Sequence, residues 1–382
     1  MRSLFYIGLI GLSLFEVLNV YFIMPMPGSQ RIDSIDLAYF LYSYRWYFRI
    51  VFLLLALIGS FQALQTTKKW IPGLVVVLAI AVTYLFNFRM TADHMFLQPE
   101  SITFHSRAEN TLSDSTLIIA VTLNNEAKAY PIRYIVYHHQ VRDTLGGKPI
   151  MVTYCSVCRT GRVFEPQVSG KPENFRLVGM DHFNAMFEDE TTKSWWRQAT
   201  GEAVTGPLKG QLLPEIESQQ LTMGKFFFLY PFGKVMQAEV ASIPKYDTLG
   251  KFEQGKSKSK LTGTDSLSWK DKSWVVGIQI ENKTKAYDWN ELKHQQLIHD
   301  SIGSIPILLV LSGDGQSFGA FRRRTHDEHF VIRNDSLIST TSQYDFSGRN
   351  ADGSTLEAIS AYQEFWHSWR TFHPETRVYK NQ

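Results

Sequence analysis

Two cysteines occur in the 382 residues, and they stand three positions apart in the run Pro149-Ile-Met-Val-Thr-Tyr-Cys155-Ser-Val-Cys158-Arg-Thr160. A Cys-x-x-Cys spacing brings two sulfurs close enough to ligate one metal ion or to close one disulfide, so it is specific for thiol chemistry without choosing the kind. Two cysteines cannot staple a scaffold, which excludes a disulfide-held fold. His138 and His139 lie just upstream, and Met180, Asp181 and His182 sit on a turn further on, with Asp189 after the following strand. Three readings stay open. Cys155 and Cys158 form a redox-active pair tuned by His138. Alternatively Cys155, Cys158, His138 and His182, with Met180 as a soft addition, bind zinc or copper. The third is a non-catalytic structural or interaction module with an inert disulfide. Trp195 and Trp196 read as core packing. His367 and His373, in a closing helix and turn, read as structural.

The elements that position the cysteines come from a repeat. The stretch from Ile118 to Val152 aligns without gaps on Val275 to Leu309. Lys128, Ala129 and Tyr130 match Lys285, Ala286 and Tyr287, an offset of 157 residues (287 − 130) that also relates Asp143, Gly146 and Pro149 to Asp300, Gly303 and Pro306. A fixed internal period is the mark of a duplicated unit. The second copy has Ser312 and Gly315 where the cysteines would be, and Gln295 and Gln296 where the first has histidines. The thiols are therefore dispensable for folding, and the first copy carries the chemistry. Short apolar and β-branched runs bounded by Gly, Asn and Asp predict strands, with a short helix near 132–141 and a closing helix in each copy.

Ahead of the repeat, three apolar segments at about 4–24, 46–64 and 70–88 are each long enough to cross a bilayer. The tight turn Gln65-Thr-Thr-Lys-Lys-Trp70 puts Lys68 and Lys69, with Arg2, on the cytoplasmic side. Arg31, Arg45 and Arg49 in and beside the first loop pull the other way. Glu16, deep in the first span, is expected to face neighbouring helices. The net charge of +3 is mild and its basic residues are interspersed with acids, which excludes nucleic acid as a partner, while 44% apolar content suffices for a full core.

The expected plan is a three-helix membrane anchor (1–91) followed by an α+β, β-dominant globular domain of two tandem lobes. The first lobe spans 92–245, an exposed linker 246–270, and the degenerate second lobe 271–382. Its expected location is a bacterial inner membrane, multi-pass, with the globular part facing the periplasm or exterior. The bilayer is its first partner. A redox partner or small-molecule substrate would be its second, and the only cofactors raised are copper or zinc.

The run from Ala127 to Phe164, then Asp189 to Gly210, Tyr246 to Phe252 and the closing Phe372 to Tyr379 resemble the bacterial family of DUF3179 domain-containing proteins over roughly 110–382. The resemblance implies a site drawn from His138, Asp143, Cys155, Cys158, Thr160, Asp189, Thr192, Ser194, Trp196 and Gln198. This chain departs from the family pattern at Ser156, Arg159 and His139, where the family has proline, glycine and glutamate. Some members are labelled selenoproteins, which implies redox chemistry at one of the two thiol positions.

Overall fold

The structure, a computed structural model, describes residues 1–65 and 68–381. Thr66 and Thr67, in the expected turn between the second and third spans, lie outside the described residues, as does Gln382. The chain divides into two compact units: 1–97 with 173–197 and 202–212, and 98–172 with 198–201 and 213–382.

In the first unit, α1 (Arg2–Tyr21), α3 (Arg45–Leu64) and α4 (Trp70–Phe88) are each long and apolar enough to cross a membrane. α1 stops short of the expected residue 24 because Pro25 has no N–H to donate and its ring would clash with the Tyr21 carbonyl. Two shorter helices, α2 (Ile35–Ser43) and α5 (Ala92–Met95), were not foreseen. α1 and α3 pack with almost no space between backbones: a Cβ on Gly8 would lie 2.5 Å from the Ala56 nitrogen, and one on Gly59 would strike Phe5. Small residues permit such close crossing where lipid supplies no hydrophobic drive. Glu16 does face its neighbours, accepting from Arg49 Nε at 2.7 Å and from Asn87 Nδ2 at 2.9 Å. The unit also holds an antiparallel sheet, β12-β11-β10-β9, made of β9 (Phe175–Asp181), β10 (Asn184–Asp189), β11 (Trp195–Arg197) and β12 (Ala203–Thr205). It is tied to the segment after α1, where Met180 N donates to Ile23 O at 2.7 Å.

The second unit is built of small sheets. One has the order β1-β14-β3-β2-β13: β1 (Phe104–His105), β14 (Lys234–Met236), β3 (Glu126–Pro131), β2 (Leu117–Leu123) and β13 (Ser218–Thr222). α6 (Ile132–His138) leads into the sheet β4-β5-β6, formed by Gln140–Leu145, Lys148–Cys155 and Thr160–Phe164, and a minor hairpin, β7 (Gln167–Val168) with β8 (Lys171–Pro172), follows. α7 (Met223–Leu229), α8 (Ile243–Thr248) and α9 (Gly250–Glu253) come next. The later half has the sheet β24-β15-β16-β25, with β15 (Trp274–Ile280), β16 (Lys283–Asp288), β24 (Ala361–Phe365) and β25 (Arg377–Val378). Around it are α10 (Trp289–Gln295), α11 (Trp366–Phe372) and the sheet β17-β18-β19-β23, formed by Leu297–Ile302, Ile305–Leu311, Phe318–Arg322 and Ala358–Ile359. A sheet of β20 (Val331–Arg333), β21 (Ser336–Ile338) and β22 (Gln343–Tyr344) completes the unit.

Strand registers recur at the sequence offset. Ile118 pairs with Pro131 as Val275 pairs with Asp288, and Gln140 pairs with Thr153 as Leu297 pairs with Val310. His139 and Gln296, each ending a helix, are both left-handed at φ 62° and 60°. Ile118 on β2 and Leu221 on its neighbour β13 join Leu308, Val310 and Phe321 of β18 and β19 in one buried cluster. Fully burying each such side chain contributes about 1.5–3 kcal/mol. The expected exposed linker begins differently: Tyr246 and Phe252 on α8 and α9 are buried among Tyr134, Val152 and Tyr154.

Candidate functional site: a buried two-thiol turn

β5 alternates Ile150, Val152 and Tyr154 into the core and ends at Cys155, and β6 resumes at Thr160, the residue paired with Cys155. The turn between them holds both cysteines as thiols, each with 0% of its surface exposed. The two cysteines approach to 3.7 Å. A disulfide needs about 2.05 Å between sulfurs, so the pair is poised short of a bond. Arg159 is left-handed at φ 56°, which explains the glycine that the family pattern places there. Its buried guanidinium offsets the strain: it lies 3.7 Å from the Trp274 ring centroid and donates to the Phe252 and Glu253 carbonyls at 3.1 Å each.

β24 and the start of α11 hold the turn from the opposite side. Phe365 N donates to Cys158 O at 2.9 Å. The fully buried Glu364 accepts from Thr160 Oγ1 at 2.9 Å, from Arg162 at 3.0 Å and from Ser368 Oγ at 2.9 Å. Gln198 Nε2 donates to Thr153 Oγ1 and Thr160 O, both at 3.1 Å. The matching turn, Ser312 to Ser317, is held reciprocally by β13, where Thr222 N donates to Ser317 Oγ at 2.8 Å and Thr222 Oγ1 to Asp314 at 2.9 Å.

A cation also sits at the thiol turn. Lys272 Nζ donates to Val157 O at 2.8 Å and Leu261 O at 2.5 Å, and lies 3.1 Å from His367 Nε2. Burial pulls its pKa below the usual lysine value, while the charges of Cys158, Cys155 and Asp271 hold it up. Burial pushes His367 down to about 4, so the imidazole beside that ammonium is neutral at pH 7.

The other expected residues fall into place separately. His138 is buried, with Nε2 2.5 Å from the Tyr246 hydroxyl. Asp143 accepts from Tyr130 and Lys128, both at 2.7 Å, and Asp300 meets Tyr287 at 2.8 Å and Lys285 at 2.5 Å, the same arrangement one offset later. Met180 and His182 belong to the other compact unit from Cys155, Cys158 and His138. His182 stands in a hairpin turn 2.6 Å from Asp181 Oδ1, a bond that raises its pKa. Asp189 centres a knot in that unit, accepting from Thr192 Oγ1 at 2.7 Å, Ser194 N at 3.0 Å and Trp196 Nε1 at 2.9 Å. Among the described residues, no group of three or more His, Cys, Asp or Glu side chains is placed to hold a metal ion. His373 stacks on Trp369 with ring centroids 4.0 Å apart. His367, expected to be structural, stands at the thiol turn with its Nε2 3.2 Å from Val157 O.

Sequence reasoning missed Lys272, Glu364 and Gln363, whose Oε1 accepts from Arg159 Nε at 3.2 Å, because they come from the part of the chain that lacks thiols. The carboxylate of Glu364, set in a closing strand beside the aromatic residues Tyr362, Phe365 and Trp366, was the available signal.

These features define a β-rich globular domain with a buried two-thiol turn, in a chain that begins with three apolar helices. A family model described as protein of unknown function (DUF3179) matches residues 98–376, and the chain belongs to that family. No curated protein and no solved structure matches it.

Proposed function

We propose that this is a membrane-anchored protein whose Cys155–Cys158 pair cycles between dithiol and disulfide. The observation that carries this reading is the approach of the two cysteines to 3.7 Å in a turn that a lysine ammonium also reaches. Closing the pair releases two protons and two electrons, which a partner disulfide takes up in becoming a dithiol. His138, bonded to Tyr246 behind α6, is a proton-handling residue in this scheme. The three N-terminal helices are multi-pass spans of a bacterial inner membrane, and Lys68 and Lys69 on the cytoplasmic side put the globular part outside. The equal registers at an offset of 157 residues (275 − 118) support two tandem copies, of which only the first kept thiols.

A second reading is favoured by the burial of both cysteines, since buried thiols pack as small hydrophobes and are inert. The zinc or copper reading keeps only the Cys155, Cys158 and His138 ligands of this unit. The deciding measurement uses the full chain in detergent: metal content and titratable thiols, before and after a mild oxidised dithiol and then a reductant. Two thiols that disappear and return reversibly in the folded protein support redox cycling. Thiols that react only after unfolding support the packed pair, and one equivalent of metal lost in Cys155→Ser supports the metal site.

A further inference from the structure

We propose that Lys272 is the positioning residue that activates this thiol pair, a fixed ammonium whose counter-charge is a cysteine thiolate. The inference rests on the redox reading above. An ammonium has three N–H donors, and those of Lys272 meet the Val157 carbonyl, the Leu261 carbonyl and His367 Nε2. None of these partners carries a negative charge. The adjacent Asp271 is committed to Arg370 at 2.5 Å. The aromatic face of Phe365, 4.6 Å from the ammonium, closes it in. A half-desolvated cation with neutral partners gains most from an anion forming nearby, and the same attraction lowers the cost of ionising a thiol. Val157 lies between the two cysteines in sequence, so the carbonyl that fixes Lys272 belongs to the thiol turn itself.

The surrounding groups leave this charge undisturbed over the range where a thiol titrates. On the Lys272 side stand His367, Asp271 and Arg370. On the strand and turn stand Tyr154 and Arg159, and on β24 Glu364. Burial takes Tyr154 up to about 12 and His367 down to about 4, so neither changes charge near an ordinary thiol pKa of about 8.5.

The chemistry balances as a dithiol exchange. One thiolate attacks a sulfur of the partner disulfide and expels a partner thiolate. The second cysteine loses its proton and attacks the mixed disulfide, forming the Cys155–Cys158 bond. Two electrons pass to the partner, and the two cysteine protons end on its two thiols.

The test is the pH profile of iodoacetamide alkylation of the reduced full chain in detergent, for the native protein, Lys272→Met and Lys272→Arg. The profile of Lys272→Met should move up by at least one unit, about tenfold less thiolate at neutral pH, while Lys272→Arg stays near the native profile. If Lys272→Met fails to fold by circular dichroism, Lys272→Gln, which keeps hydrogen bonding without charge, gives the same comparison. Superimposable native and Met profiles, with thiols that still cycle, would overturn the role of Lys272 and leave redox cycling standing. Native thiols that alkylate only in denaturant would overturn both.

Discussion

The turns at Cys155–Thr160 and Ser312–Ser317 close the same strand pair at the same register, Tyr154 with Gly161 and Leu311 with Phe318, yet they are held by different forces. The thiol turn is gripped by a buried ion pair, Arg162 with Glu364, whereas the later turn is gripped by the hydroxyls of Thr222 and Ser317 around Asp314 and by Asp335, which accepts from Gly313 N at 2.9 Å and pairs with the partly exposed Lys225. The ion pair at the thiol turn is therefore the more deeply buried of the two, and the one whose loss should cost more.

The largest expected effect comes from breaking that grip. Glu364→Gln leaves the buried guanidinium of Arg162 with a neutral amide and only the longer 3.5 Å contact to Glu215, so the loss should approach the lower end of the range of about 3–5 kcal/mol that removing one partner of a buried pair costs. Ser317→Ala removes a neutral hydroxyl that donates to the Asp314 carboxylate and should cost less, about 1.5–2 kcal/mol. Denaturant unfolding of both variants measures the difference. Equal losses would mean the two turns are held alike.

The next effect is in pH. His139 and Gln296 share a left-handed backbone, but His139 is buried and Gln296 is exposed. Burial drives His139 from 6.5 to about 4. With the folded value depressed, the unfolded chain binds the proton first, so this group's contribution is intact above pH 6.5 and is lost as pH falls toward 4. At about 1.4 kcal/mol per unit, the loss is on the order of 3 kcal/mol. His139→Gln should flatten the acid limb of stability between those values, and Gln296→His should leave it unchanged. Stability measured at a series of pH values by chemical unfolding reads both.

What could be read in advance follows from how local each signal is. The thiol spacing lies within four residues, and the Lys128, Tyr130 and Asp143 set was visible because it recurs intact as Lys285, Tyr287 and Asp300. The ion-pair wall was not visible: Thr160 and Glu364 are 204 positions apart, and such a contact imposes no period on either segment. Asp189, Thr192, Ser194 and Trp196 were legible as a group, but not as a carboxylate-centred knot in the same compact unit as the apolar helices. Residues 246–270 read as a linker because their few buried anchors, Tyr246 and Phe252 among them, are diluted by lysine, serine and glycine.

The smallest effect separates backbone from side chain at Arg159. A left-handed non-glycine residue costs about 1–2 kcal/mol, and the guanidinium offsets this through the Trp274 face and the two carbonyls of α9. Arg159→Ala loses the side-chain contacts and keeps the strain. Arg159→Gly loses the contacts but relieves the strain, so it should be the milder change, by about 1 kcal/mol. In the later turn the left-handed residue is Gly315, at φ 70°, with nothing within 4 Å of an added Cβ. Gly315→Ala should therefore lose about the same 1 kcal/mol that Arg159→Gly regains relative to Arg159→Ala. If alanine and glycine at 159 are equally stable in urea, the strain is not borne by the backbone there, and the arginine is in place for its grip on α9 alone.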